Sequence, residues 1–259
     1  MPNGTHAKTL APERWNALRA KLDSQGVVRV DDLVQELEVS AATIRRDLEE
    51  LERMNLLRRV HGGAVRLESR LHELRFDDKA GLHPEEKRRI AAAAAGIIQD
   101  RETVYLDGGS TVVALASLLR GRETLTVVTN SLRAAVELSA QGPRLILIGG
   151  ELRRRSQSLV GSLTRHVLSE LHVDRAFMGT IGLTRQGLST TDPDEAFTKA
   201  LVMAQAAEVT LLAVAEKIGT QSFAQAGAWD QVDRFITSGG ADPAFLKFLK
   251  QRRIHVTLV

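Results

Sequence analysis

Two clusters of residues in this chain hold types and spacings that can do chemistry. The first is Ser40-Ala41-Ala42-Thr43-Ile44-Arg45-Arg46. A capping hydroxyl, small residues, a second hydroxyl and two guanidinium groups suit close approach to a phosphate backbone and to guanine edges. The second is Asp107-Gly108-Gly109-Ser110-Thr111, directly after the apolar run Thr103–Leu106. Glycines behind a strand let backbone N–H groups turn inward, the start of a helix adds partial positive charge, and two hydroxyls can donate: together a phosphate cradle. It matches neither a P-loop nor a Gly-x-Gly-x-x-Gly fingerprint.

The elements around the first cluster decide whether its arginines can reach a partner. Trp15, Leu18 and Leu22 step along a helix that opens near Pro12 and stops at Gly26. Val27–Val30 reads as a short strand, and Asp31 or Asp32 as the cap of a second helix carrying Leu33, Val34 and Leu37. Ser40 caps a third helix, to about Asn55, whose stripe is Ala41, Ile44, Leu48, Leu51 and Met54. The opposite face then holds Ala42, Thr43, Arg45, Arg46 and Glu49. Leu56–Val60 and Ala64–Leu67 flank His61-Gly62-Gly63 as a hairpin with a glycine turn. Three helices and a hairpin make a winged helix-turn-helix over residues 1–68, and Arg58, Arg59, His61 and Arg66 fall on the wing. The candidate DNA contacts are Ser40, Ala42, Thr43, Arg45, Arg46, Arg58, Arg59 and His61. The competing reading has Arg45 and Arg46 paired with Glu49 and Glu50 at i,i+4 on a solvated face.

Residues 69–84 are charged, unpatterned and punctuated by Gly81 and Pro84, and read as a linker. From residue 85 onward, helical stretches alternate with apolar runs, which predicts a Rossmann-like, doubly wound, mostly parallel α/β domain over 85–259. Such sheets bind ligands beyond the carboxyl ends of their strands. Besides Asp107, Gly108, Gly109, Ser110 and Thr111, those ends carry Thr129 and Asn130, Gly149 and Gly150, and Lys217. Arg153-Arg154-Arg155 reads most simply as a solvated loop, and otherwise as an anion clamp or salt-bridge cluster. Asp192 or Asp194 caps the following helix, and Glu195 with Lys199 reads as an i,i+4 surface pair.

Bulk composition narrows the classes. Apolar residues are 43% and charged residues 26%, a globular balance with a sizeable core. The absence of cysteine removes disulfides, thiol nucleophiles and Cys-ligated metals and fits a cytoplasmic protein. The seven histidines form no ligand spacing, so neither a metal nor a cofactor is expected. No signal peptide or membrane span is legible. Net charge is +3, but the basic residues up to Arg66 are matched by acids up to Glu68, so binding to DNA must come from local arrangement.

The run Ser40–Leu48, then Leu51-Glu52 and Arg59-Val60-His61-Gly62-Gly63-Ala64, resembles the DeoR family of bacterial transcription regulators. The likeness continues through Asp107–Thr111, Val128–Ser131, Ile148–Gly150 and Leu159–Gly161. It implies a sensor domain similar in fold to ribose-5-phosphate isomerase. A phosphorylated sugar or related metabolite would be its effector, with Gly108–Thr111 on the phosphate and Asn130, Gly150 and Lys217 around the sugar. Glu195 and Asp194 are secondary contacts on the same grounds. Where the family carries Asp-Ser-Ser-Lys or Asp-His-Ser-Lys, this chain reads Val214-Ala215-Glu216-Lys217. The resemblance implies a repressor of sugar-metabolism genes that binds a double-stranded operator as a homodimer or higher homo-oligomer. The alternatives are a sugar-phosphate isomerase-like enzyme with an appended DNA-binding module, drawing its base from Asp107, Glu151, Asp192 or Glu195, and a constitutive architectural DNA binder.

Overall fold

The computed structural model describes residues 11–66, apart from 26, 55 and 61, and residues 73–259. The chain divides into two compact units, Met1–Leu74 and Arg75–Val259.

In the first unit, α1 (Ala11–Gln25) is followed by β1 (Val27–Arg29), α2 (Val30–Leu37), α3 (Ala41–Arg53) and the hairpin β2 (Leu57–Val60) and β3 (Gly63–Arg66). β1 pairs antiparallel with β3, which makes the wing a three-stranded sheet in the order β1-β3-β2. Leu18, Leu22, Leu33, Ile44, Leu48, Leu51 and Leu57 form its core. The aspartate cap expected for α2 does not form: the helix starts at Val30, Arg29 occupies the cap position, and Asp31 and Asp32 lie in the first turn, where their charge suits the helix dipole.

The second unit begins with α4 (Phe76–Gly81) and α5 (Pro84–Ala95). Next come β4 (Thr103–Leu106), α6 (Ser110–Leu118), β5 (Thr126–Thr129), α7 (Leu132–Leu138), β6 (Arg144–Leu147), β7 (Glu151–Arg153), β8 (Ser158–Val160) and α8 (Ser162–Ser169). They are followed by β9 (Val173–Met178), β10 (Gly182–Thr184), β11 (Gly187–Thr190), α9 (Pro193–Gln205) and β12 (Ala206–Ala213). A 3-10 turn at Ala215–Lys217, β13 (Ala224–Gly227), β14 (Arg234–Thr237), α10 (Pro243–Gln251) and β15 (His255–Leu258) complete it.

A seven-stranded sheet in the order β15-β14-β12-β9-β4-β5-β6, parallel throughout, forms the centre. Alternate residues serve opposite faces. Val104, Leu106, Val127, Leu212 and Ile236 pack with α5, α6 and α7, while Tyr105, Val128, Met178, Leu211 and Phe235 pack with α8, α9 and α10. From β4 the chain winds outward to β6, then crosses back to β9 on the other side of β4. The topological switch point therefore lies between β4 and β9.

The expected linker 69–84 is structured over its second half. Phe76 is buried, the Phe76 N–H donates to the Arg155 carbonyl at 2.9 Å, and Arg133 bonds Asp77 at 2.5 Å while lying over the Phe76 ring. A single buried aromatic thus anchors a helix too short to announce itself by periodicity. Residues 69–72 lie outside the described residues. No described helix is long and apolar enough to cross a membrane.

Candidate DNA interface and effector site

Ser40 holds the start of α3: its hydroxyl accepts the Thr43 N–H at 3.2 Å and lies 2.9 Å from the Thr43 hydroxyl. Ile44, Leu48 and Leu51 turn inward, which leaves Ala42, Arg45, Arg46 and Glu49 exposed. The i,i+4 pairs do not form. Glu50 bonds Arg53, and Glu49 lies 3.7 Å from Arg59. Among the described residues nothing pairs with Arg45 or Arg46, so two uncommitted guanidinium groups stand on the outer face of a capped helix. Asp47, between them and Leu48, is buried. It accepts from Arg14 at 2.7 and 3.0 Å and from the Trp15 indole at 2.9 Å, which ties α3 to α1. On the wing, the Arg59 N–H donates to Glu52 at 2.8 Å. Arg58 lies on β2, and His61 is outside the described residues.

The second cluster gathers at the switch point. Asp107 directly follows β4, accepts the Gly179 N–H at 2.8 Å and pairs with the buried Lys199 of α9, which also donates to the Gly179 carbonyl at 3.1 Å. Lys199 and Glu195 are therefore no surface pair. Glu195 is buried, accepts from the Thr190 hydroxyl at 3.0 Å and lies 3.4 Å from Arg153. Arg153, in the run expected to be solvated, is mostly buried and also bonds Asp192 at 3.1 Å and Thr191 at 3.1 Å. Asp192 is the residue that caps α9, accepting the Glu195 N–H at 2.9 Å.

Gly109, at φ 126, is the N-cap of α6 and contributes no capping side chain, so the first amides of this helix face the loop 107–110. Gly108 is needed for space: a Cβ there would stand 2.1 Å from the Ser158 hydroxyl oxygen. Ser110 donates to the Lys79 carbonyl at 3.4 Å, and Thr111 is buried in the first turn. Thr129 is fully committed, since its hydroxyl donates to Leu106 O at 2.6 Å and accepts the Ser131 N–H at 3.0 Å. Asn130 donates to Leu159 O at 2.9 Å, and its side-chain oxygen, like the Ser158 hydroxyl, is buried without a partner among the described residues. The Gly149 carbonyl is taken by Thr164 at 3.0 Å, and Gly150 abuts the same side chain.

Lys217 donates to the Thr180 carbonyl, one residue beyond Gly179. Burial, followed by the ammonium groups of Lys79, Lys87 and Lys199, pushes its pKa down to about 7 against the opposing pull of Glu216. Lys87 bonds the Lys79 and Leu82 carbonyls and falls to about 8, chiefly through burial and then through Lys79. Glu216, at the departure from the family pattern, bonds His83 at 2.6 Å. This contact, with Glu86 at 2.9 Å on the other ring nitrogen, raises the His83 pKa. The ammonium groups of Lys79, Lys87 and Lys199 thus all act on Lys217, and the Lys79 carbonyl meets Ser110 at the start of α6. Lys79, Lys87, Lys199 and Ser158 were not foreseen. Only Lys199 had a signal, lying three residues from Ala196 and from Val202 in the buried stripe of its helix.

A family model described as the DeoR-like helix-turn-helix domain matches residues 14–70, and one described as the DeoR C terminal sensor domain matches residues 82–239. The chain belongs to the DeoR family. This DeoR-family chain is 39% identical over 214 residues to the HTH-type transcriptional regulator GlpR of Haloferax volcanii, covering 82% of this chain and 84% of that protein. It is 33% identical to the glycerol-3-phosphate regulon repressor of Escherichia coli, covering 95% of this chain and 98% of that one. It is also 33% identical to the lactose phosphotransferase system repressor of Streptococcus mutans, covering 93% and 98%. Ribose 5-phosphate isomerase A of Methanocaldococcus jannaschii superposes with a TM-score of 0.40 at 19% identity, over 52% of this chain and 54% of that one. The DeoR-family chain is accordingly a DNA-binding transcription regulator, with α3 as the helix of its helix-turn-helix that carries the exposed arginines.

Proposed function

We propose that this regulator represses genes of sugar metabolism and that a phosphorylated sugar bound at the start of α6 controls its hold on DNA. Ala42, Thr43, Arg45 and Arg46 would read the operator, with Ser40, Arg58, Arg59 and His61 on its backbone. The observation that carries the effector reading is geometric: beside the glycine loop at the start of α6 the Ser158 hydroxyl and the Asn130 side-chain oxygen are buried without a partner among the described residues, and Lys217, held on the Thr180 carbonyl, brings a cation to the same strand ends. Gly108–Thr111 would take the phosphate, while Asn130, with its unpartnered oxygen, and Lys217 would face the sugar. Thr129, Gly149, Gly150, Asp107 and Glu195 support the walls, since their polar groups or close contacts are already engaged within the protein. The names of the Escherichia coli and Streptococcus mutans relatives, repressors of glycerol-3-phosphate and lactose systems, favour a carbohydrate pathway.

The enzyme alternative needs a carboxylate free to take a proton. Asp107 is neutralised by Lys199, Asp192 and Glu195 by Arg153, and Glu151 is exposed at the start of β7, which disfavours it. One recognition helix per chain reads one half-site, so a homodimer or higher homo-oligomer on a two-fold operator fits this reading. Thermal unfolding of the full chain against phosphorylated sugars, free sugars and inorganic phosphate tests the effector. A ligand at a hundred times its Kd adds about 2.7 kcal/mol. Stabilisation by a phosphosugar, together with release of selected DNA fragments, is the expected result. Stabilisation by free sugars alone would overturn the reading.

A further inference from the structure

Three donors converge on the Lys79 carbonyl in α4: the Leu82 N–H at 3.2 Å, the Lys87 ammonium, and the Ser110 hydroxyl at 3.4 Å. The last is longer than a normal O–H···O bond and is the weak member. A carbonyl has two lone pairs, so the Lys79 oxygen stays satisfied without it. Ser110 is the first residue of α6, whose amides face the loop. Beside that loop the Ser158 hydroxyl and the Asn130 side-chain oxygen, each 1% exposed, have no partner among the described residues. The site therefore keeps unfilled hydrogen-bonding capacity on one side and an expendable contact to α4 on the other.

The start of α4 is anchored through Phe76 and Asp77, by Arg155 and Arg133. Its end, from Lys79 to Leu82, is held by Lys87, which repels Lys79. The charged groups acting around Lys217 are Lys79, Lys87, Lys199 and Glu216.

We propose that α4 is a strap of the anion site. A phosphate group seated on Gly108–Thr111 takes the Ser110 hydroxyl away from the Lys79 carbonyl, and the Lys79 ammonium closes on the bound anion. The proposal rests on the effector reading above and adds α4 and its Lys79 ammonium to the site.

The test is hydrogen exchange by mass spectrometry on the full chain, with and without saturating inorganic phosphate or sn-glycerol 3-phosphate. Both 108–112 and 76–82 are expected to change their exchange on binding. Lys79→Met is expected to lose the change at 76–82, keep that at 108–112, and bind about tenfold more weakly, as befits a lost charge-assisted contact. Lys79→Arg is expected to retain both. Protection confined to 108–112 in the wild type, or unweakened binding by Lys79→Met, would overturn the strap and leave the anion site standing. No protection at 108–112 with either probe would remove the site and the strap together.

Discussion

Lys199 and Asp107 form an ion pair in which each side chain is 3% exposed. The pair fastens α9 to the end of β4, and through Gly179 to the end of β9, so it braces the two strands that flank the switch point. Removing one partner strands the other charge in a dry site, which costs about 3–5 kcal/mol, whereas replacing both with apolar residues is far milder. Lys199→Met and Asp107→Asn should each lower stability to urea by about that amount. The double variant Asp107→Leu/Lys199→Met should recover most of the loss. If the double variant is instead as unstable as the sum of the singles, the pair contributes by packing and the electrostatic account fails.

Arg46 and Asp47 are neighbours with opposite tasks. Arg46 is exposed and without a partner among the described residues, so Arg45→Ala/Arg46→Ala should leave the thermal midpoint within the scatter of surface substitutions while DNA binding falls at least tenfold. Asp47 holds Arg14 and Trp15, and Asp47→Ala should destabilise the first unit by about 3 kcal/mol by removing the buried carboxylate to which both side chains donate. Gel-shift titration beside calorimetry separates the two. Unchanged DNA affinity in the double arginine variant would place the operator contacts elsewhere.

The seven strands of the central sheet were legible because parallel strands covered by helices read as apolar runs alternating with helical periodicity, whereas the short antiparallel strands β7, β8, β10, β11 and β13 were not. Thr103–Leu106 emerges with the same limits from both sequence and structure. The cap of α3 was legible too, as was the glycine loop before α6, because both are local in sequence. Lys199 was misread because i,i+4 spacing to Glu195 is the mark of a surface pair. Only the third dimension shows α9 lying across the strand ends, with Lys199 turned to Asp107 and Glu195 to Arg153. Arg153 looked solvated for the same reason, since its carboxylate partners lie some forty residues away in sequence. Lys79 stood in a charged stretch where six helical residues give periodicity nothing to act on.

Lys217 and Lys87 also set a pH dependence of stability. Their folded pKa values, about 7 and about 8, lie below the ordinary 10.5 of lysine, chiefly because burial disfavours the charged form. Between those values and 10.5 the unfolded chain binds more protons than the folded one, so stability rises with pH across that window. His83 acts in the opposite sense and lower down: its raised pKa gives stability that is complete below 6.5 and is lost as pH climbs through the folded value. The thermal midpoint at constant ionic strength should therefore climb from pH 7 towards pH 10, and Lys217→Met should flatten much of the climb. A midpoint that falls steadily over this range in the wild type would show that the lysine cluster is not desolvated.

Gly108 and Ser158 meet at the mouth of the same cradle. A methyl group on Gly108 would come within 2.1 Å of the Ser158 hydroxyl oxygen and 3.3 Å of its Cβ. That hydroxyl has no partner to lose among the described residues and can turn about one torsion, so Gly108→Ala should cost only about 1 kcal/mol of stability, the low end for overpacking. Its effect on the anion should be larger, because the methyl and the displaced hydroxyl crowd the loop where backbone amides must close on phosphate. We expect at least a tenfold loss of phosphate affinity by calorimetry. Adding Ser158→Gly removes the atoms in conflict and should restore stability. If the Ser158 hydroxyl is a ligand contact, the double variant remains a weak binder. Recovery of stability and affinity together would instead make Ser158 a neighbour of the cradle with no part in holding the anion.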